Sequence, residues 1–206
     1  MVVKTWNDEE NDKLSPHLHK LPDDLISYFA LLHCLGATEN PTLAQYARVL
    51  ESLNNSRSDV LVYNPNMAAA AKQAMSGFLR CLLRHQYDGK PSEVLNNMQN
   101  LYLMSNNKTQ PLVQSRELFY NDRPQFAKRL TGFPGAQLIA ISQDDIGKPA
   151  NVDELLRTLP PHIRPAYISD HVQEVIVTAL DEDGNTECRC STSRKAEKDL
   201  RMGTIS

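Results

Sequence analysis

No stretch of this sequence holds the roughly twenty consecutive apolar residues that a bilayer-spanning helix needs. Its opening, Met1-Val2-Val3-Lys4-Thr5-Trp6-Asn7-Asp8-Glu9-Glu10, turns acidic where a signal peptide would build an apolar centre. The expectation is a chain that is neither secreted nor membrane-spanning. A basic stripe is also missing: 22 Lys and Arg stand against 25 Asp and Glu, for a formal net charge of -3, so nucleic acid is not an expected partner. Cysteine is scarce. Cys34 and Cys81 sit inside apolar helical patterns, where a free thiol behaves as a small hydrophobe, and this usage fits reduced thiols and a cytoplasmic location.

The short motifs that carry chemistry are largely absent. Cys188-Arg189-Cys190 would put two thiols on one face of a strand, but no second pair completes a four-ligand metal site. His17, His19, His33, His85, His162 and His171 show no H-E-x-x-H spacing. The acidic run Asp181 to Asn185 lacks the closing glutamate of an EF-hand loop and reads as a hairpin turn. Thr131-Gly132-Phe133-Pro134-Gly135 lacks the glycine spacing that aims backbone amides at phosphate, so no nucleotide cofactor is expected. There is no G-x-S-x-G elbow. An enzyme would need a site assembled only in three dimensions, for instance from His85, His162, Asp170 and His171.

What is present is a chain with enough apolar residues, 41%, to fold rather than remain disordered. Residues 1–20 read as a polar tail. Pro22, with Asp23 and Asp24, starts a helix whose inward stripe is Leu25, Phe29, Leu32 and Leu35, ending at Gly36. Asn40-Pro41 starts a second, with Leu43, Tyr46, Ala47, Leu50 and Leu53 inward. Asn64-Pro65 starts a third, whose long apolar face holds Met67, Ala71, Ala74, Met75, Phe78, Leu82 and Leu83 and ends at Asp88-Gly89. Near residue 90 the sequence changes to short β-prone pieces between turns.

Pro91 to Met98 reads there as a short helix, Leu101 to Met104 as a strand and Leu112 to Tyr120 as a strand or loop. Asn121-Asp122 before Arg123-Pro124 starts a helix ending near Leu130. Leu138 to Ile141 reads as a buried strand, and Asn151 opens a helix through Leu159 that Pro160-Pro161 stop. Val172 to Leu180 and Thr186 to Ser191 form a hairpin, although Val172, Val175 and Ile176 equally suit a helix start. The fold class is helix-rich α+β, with a helical N-terminal half (21–90), a smaller mixed half (91–192) and a charged tail (193–206).

Three stretches carry a resemblance: Leu35-Gly36 through Asn40-Pro41-Thr42 and on to Leu53; Leu101-Tyr102-Leu103-Met104; and Ser115-Arg116-Glu117-Leu118-Phe119-Tyr120-Asn121-Asp122-Arg123-Pro124. In order and pattern they resemble the repeat region of the sacsin family of giant chaperone-like proteins, in the part that follows the GHKL-type ATPase-like fold. The nucleotide-binding half of such a repeat, the ubiquitin-like portion and the His-Pro-Asp tripeptide of a J-domain have no counterpart here. The resemblance implies a noncatalytic segment of a large chaperone concerned with protein quality control or the cytoskeleton, with protein clients or neighbouring domains as partners. Phe119, Tyr120, Asn121, Asp122, Arg123 and Pro124 are its candidate interaction motif, with Asp122 as helix cap, Phe119 and Phe126 packed, and Tyr120 packed or projecting. An independent protein-interaction adaptor and a small hydrolase or transferase are the alternatives.

Overall fold

Thr42 and Gln45 start the helix on which the core is founded. The Thr42 hydroxyl accepts the Gln45 amide at 3.3 Å, and the Gln45 side-chain oxygen accepts the Thr42 amide at 2.9 Å. This reciprocal capping box satisfies two amides at once, which is why helix α2 (Leu43–Asn55) begins here and not at Asn40-Pro41 as its sequence suggests. Ahead of it, a 3₁₀ segment (Asp23–Tyr28) runs into helix α1 (Phe29–Cys34). Gly36, with φ of 96°, ends α1 in a Schellman arrangement: the Gly36 amide donates to the His33 carbonyl and the Ala37 amide to that of Leu32.

The computed structural model describes residues 1–4, 13–15, 17–56, 65–87, 93–107, 110–130, 136–141, 151–180 and 186–194, with 85–87, 128–130, 172–180 and 186–194 described by their backbone. The Val60 to Tyr63 run, the Asp88-Gly89 stop, the Thr131 to Gly135 loop and the Asp181 to Asn185 turn lie outside the described residues. Helix α3 (Pro65–Tyr87) crosses α2 where Gly77 lies against the Tyr46 ring, so close that a Cβ at Gly77 would collide with it. The expected face of α3 is buried at Ala71, Ala74, Met75, Phe78 and Leu82, and half-buried at Met67 and Leu83.

The other half of the chain is laid on this helix pair. A short helix α4 (Glu93–Asn96) precedes a hairpin of β3 (Tyr102–Met104) and β4 (Leu112–Gln114), in which Leu103 faces Val113. The Met104 amide meets the Met75 sulfur at 3.3 Å, which holds β3 on α3. A 3₁₀ turn then leads into β5 (Leu118–Tyr120), the middle strand of a parallel sheet ordered β6-β5-β7, where β6 is Gln137–Leu138 and β7 is Ala166–Tyr167. An antiparallel bridge from Ser105 to Ile139, with the Ala140 amide donating to Met104, stitches the hairpin to this sheet.

The two helices of the parallel sheet belong to different clusters. Helix α5 (Pro124–Leu130) packs Ala127 with Phe119 and Ile168, whereas helix α6 (Val152–Arg157) sends Leu155 and Leu156 into the main core. Asn151 caps α6 by accepting the Asp153 amide at 3.1 Å, as its sequence implies. The short helix α7 (Ile168–His171) leads into an antiparallel hairpin of β8 (Val172–Leu180) and β9 (Thr186–Arg194). That resolves Val172 to Leu180 as strand. Cys188 and Cys190 lie opposite Thr178 and Ile176, and β9 runs through Ser193 and Arg194, beyond the expected start of the tail.

Three expectations are corrected. The described parts of residues 1–20 are packed: β1 (Val2–Val3) pairs in parallel with β2 (His19–Lys20), and Val3, Leu14 and Leu18 are fully buried. One hydrophobic cluster runs from Val3 through α2, α3, the strands and α6 to Tyr167, so the core does not divide at residue 90. Finally, the helical segment 23–34 buries no residue; Leu25 and Leu35 of the expected inward stripe are exposed, as is Cys34, while Phe29 and Leu32 are only half-buried. Helical period marks an apolar stripe but says nothing of whether another element arrives to cover it.

The α2–α3 crossing makes a sharp test. Alanine is the better helix former by about 1 kcal/mol, yet Gly77→Ala is expected to destabilise by roughly 1 to 3 kcal/mol because the Tyr46 ring must move. Urea unfolding checks the sign: a Gly77→Ala variant as stable as the parent or more so contradicts this packing.

Candidate functional site

The chain leaves β5 for β6 on one side and returns past it to β7 on the other. In a parallel sheet, such a reversal opens a crevice beyond the carboxyl ends of the two strands that part. The motif picked out by sequence lies here. Alternation along β5 sends Leu118 into the main core and Phe119 to the opposite cluster, against Ala127 and Ile168 with Phe126 alongside. Phe119 is 4% exposed, so it packs as expected. Tyr120 is half-buried against the main core, its ring edge-on to that of Tyr167 with centroids 5.4 Å apart.

Asp122 does not take the role its position suggests. Its carboxylate accepts the Ser169 amide at 3.1 Å, clamping the loop after β5 to the start of α7, while the amides of Phe126 and Ala127 bond to the Arg123 carbonyl. The motif therefore ties β5 to β7. Asn121, Arg123 and Pro124 are exposed at the rim. Helix α5 packs on β5 and α7.

Tyr167 anchors the other wall. Its hydroxyl donates to the Asp153 carbonyl at 3.1 Å, and the Arg157 guanidinium lies 4.2 Å from its ring centroid while bonding the Asp153 carboxylate at 3.1 Å. Burial, and then the nearby Asp153, push the Tyr167 phenol above its ordinary range. Tyr120 is raised by burial first, and then by Asp153 and Asp122. Both phenols thus stay protonated at neutral pH and offer aromatic faces and hydroxyl groups rather than a base.

The scattered histidines do not assemble with this cluster. His162 meets the Met98 carbonyl at 2.9 Å, and His171 lies edge-on to Phe119 with centroids 5.9 Å apart. The Asp170 carboxylate is 3.5 Å from the Ser169 hydroxyl, and the His85 side chain lies outside the described residues. A serine–histidine pair that spacing gave no hint of joins Ser52 on α2 to His17, Oγ to Nδ1 at 3.1 Å. Among the described groups acting on this ring the first is burial, then His19 and the amino terminus, all lowering its pKa, and none is the carboxylate that would orient a general base. The pair fastens the N-terminal segment to α2. No group of three or more metal-ligating side chains occurs among the described residues, and no helix among them is long and apolar enough to cross a membrane.

The feature that sequence reasoning misassigned is apolar surface. Leu25, Tyr28, Leu31 and Leu35 are 39%, 60%, 63% and 78% exposed and recur at steps of three, three and four along one continuous helical segment. The available signal was the apolar character of this segment on more than one side, which left a second stripe beyond the one chosen.

Over 186 residues, 89% of its length, the chain is 30% identical to human sacsin. This chain is sacsin-like. It spans 4% of the length of sacsin, so the likeness is to one segment of a far larger protein. No family model and no solved structure matches it.

The Ser52–His17 contact yields a signed expectation. With the His17 pKa lowered from its ordinary 6.5, the folded state binds fewer protons than the unfolded chain. The contribution is complete above about pH 6.5 and is lost as pH falls through the folded value. Thermal melts of the parent and His17→Asn at pH 7.5 and 5.5 should show the stability advantage of the parent shrinking on acidification; a constant difference contradicts this assignment.

Proposed function

We propose that the chain is a noncatalytic, protein-binding segment of a large sacsin-like chaperone that works in protein quality control in the cytoplasm, with protein clients or neighbouring domains as its partners. The observation that carries this reading is the similarity to sacsin along nearly nine-tenths of the chain. The chemistry of the described residues agrees with it. Asp153 and Arg157 are bonded to one another and Asp122 to a backbone amide, the phenols of Tyr120 and Tyr167 are held protonated, and large apolar side chains face solvent on the segment 23–35. Exposed apolar area of this kind is what a surface uses to hold another protein.

Calorimetry of the purified chain with ATP and magnesium, beside a light-scattering assay of an unfolding model protein, tests the reading. The expected outcome is no heat of nucleotide binding, no rise in melting temperature, and suppressed scattering at near-stoichiometric ratios. Saturable micromolar binding with a raised melting temperature would replace it with an enzymatic reading. Undiminished scattering would remove the chaperone part.

A further inference from the structure

The helical segment that buries nothing is a crossover, and the backbone bonds of β1 show what it crosses. The Met1 and Val3 carbonyls accept the His19 and Leu21 amides, whereas the Val2 carbonyl accepts the Thr38 amide and the Lys4 amide donates to the Thr38 carbonyl. Successive residues of a strand direct their bonds to opposite edges. So β1 lies between β2 and Thr38, parallel to both. A chain that leaves one edge of this small sheet and joins the other in parallel must pass over the middle strand, and residues 22–36 make that passage. Both ends of the passage are fixed: Leu21 and Ala37 are buried, and the Leu21 and Thr38 amides bond to β1.

The passage runs over the outer face of the sheet. Val3 is fully buried in the main core, and side chains alternate along a strand, so Lys4 turns to the other face, where its ammonium lies 4.7 Å from the Phe29 ring centroid. The His33 ring leans on Phe29 as well, with centroids 5.7 Å apart. Phe29 and Leu32 are half-buried, and every other residue from Pro22 to Gly36 is exposed. Helices this short do not persist in water alone and are held in proteins by burying an apolar face; neither the 3₁₀ part nor α1 buries a residue. We propose that residues 22–36 form a strap, a conformational device that opens and closes over the outer face of β1 while its two anchors and the core stay folded. Regions with few buried apolar contacts open at a much smaller free energy than global unfolding, and opening here takes no residue out of the main core. Phe29, held between Lys4 and His33, is the latch. The open strap adds Phe29 and Leu32 to the apolar side chains that already face solvent, and it does so whether or not the chain binds other proteins.

Hydrogen exchange of the full chain, read amide by amide by NMR in water and in urea below the unfolding transition, tests the strap. The Leu35, Gly36 and Ala37 amides bond within its last turn. Relative to their intrinsic rates they should exchange at least about a hundredfold faster than the amides of Leu43–Asn55, at a rate that low urea leaves unchanged, because local opening exposes little new surface. The Leu21 and Thr38 amides, which bond to β1, should exchange at least about tenfold more slowly than the strap between them. Phe29→Ala should speed exchange in the strap by about tenfold and leave Leu21, Thr38 and the melting temperature unmoved. Lys4→Gln, which keeps the length of the side chain without its charge, should act in the same direction by a smaller factor. Strap amides that share one urea-sensitive rate with Leu43–Asn55 would overturn the proposal, because the segment would then open only with the whole fold. Leu21 and Thr38 exchanging as fast as the strap would also overturn it, since the entire N-terminal region would be fraying without anchors. A Phe29→Ala variant that melts lower or folds poorly does the same, by making Phe29 part of the global fold.

Discussion

The close crossing of α2 and α3 governs the rest of the molecule. Gly77 lets the α3 backbone approach the Tyr46 ring, and that approach brings Val49, Leu50 and Leu53 of α2 against the face of α3 that carries Ala74, Phe78 and Leu82. The two helices together form one slab. Burying a single large side chain of this kind contributes about 1.5 to 3 kcal/mol, and fully buried Phe78, Leu79, Leu50 and Leu43 lie within it. The strand Tyr102–Met104 lies on the slab, its Met104 amide directed at Met75, and the Ser105–Ile139 bridge passes the position of that strand to the parallel sheet. Helix Val152–Arg157 packs on Pro65–Tyr87 and adds Leu155 and Leu156 to the same core.

Where local periodicity and tertiary packing agree, the sequence is readable. The stripes of α2 and α3, the Asn151 cap and the stop before Pro160-Pro161 follow from spacing and capping chemistry, whereas the pairing of Val172–Leu180 with Thr186–Arg194 settles a stretch whose sequence suits a strand and a helix start equally. Failures occur where distant partners decide. One exception is local: Thr42 outcompetes Asn40 because Gln45, three residues on, completes a reciprocal pair. Val3, Leu14 and Leu18 sit in too polar a stretch to stand out, and become core only because Val2–Val3 and His19–Lys20 find each other and Thr38. Asp122 has the right spacing to cap a helix, but the return of the chain at Ser169 offers another amide. Leu25 and Leu35 have the right period and lack a cover.

The same contrast organises the candidate site. The motif from Phe119 to Pro124, distinctive in sequence, is largely joinery: Phe119 fills one face of the sheet, Tyr120 abuts Tyr167 on the other, and Asp122 fastens the loop after Leu118–Tyr120 to the start of the helix Ile168–His171. Its exposed members, Asn121, Arg123 and Pro124, occupy the rim. Among the described residues, the broadest apolar surface is instead on the segment 23–35, which the core leaves uncovered. A rigid scaffold with a separate sticky helix suits the proposed role of a binding segment inside a large sacsin-like protein, because the surface that meets partners is not the surface that holds the fold.

The central claim is that one core spans the chain from Val3 to Tyr167 across the change of sequence character near residue 90. Native-state hydrogen exchange tests it most directly. Slowest-exchanging amides in Leu43–Asn55, Pro65–Tyr87, Tyr102–Met104, Leu118–Tyr120 and Val152–Arg157 should share one opening free energy, equal to that of global unfolding. Two plateaus, with the helices opening apart from the strands and the helix Val152–Arg157, would contradict the account and restore a boundary between two separately folding halves.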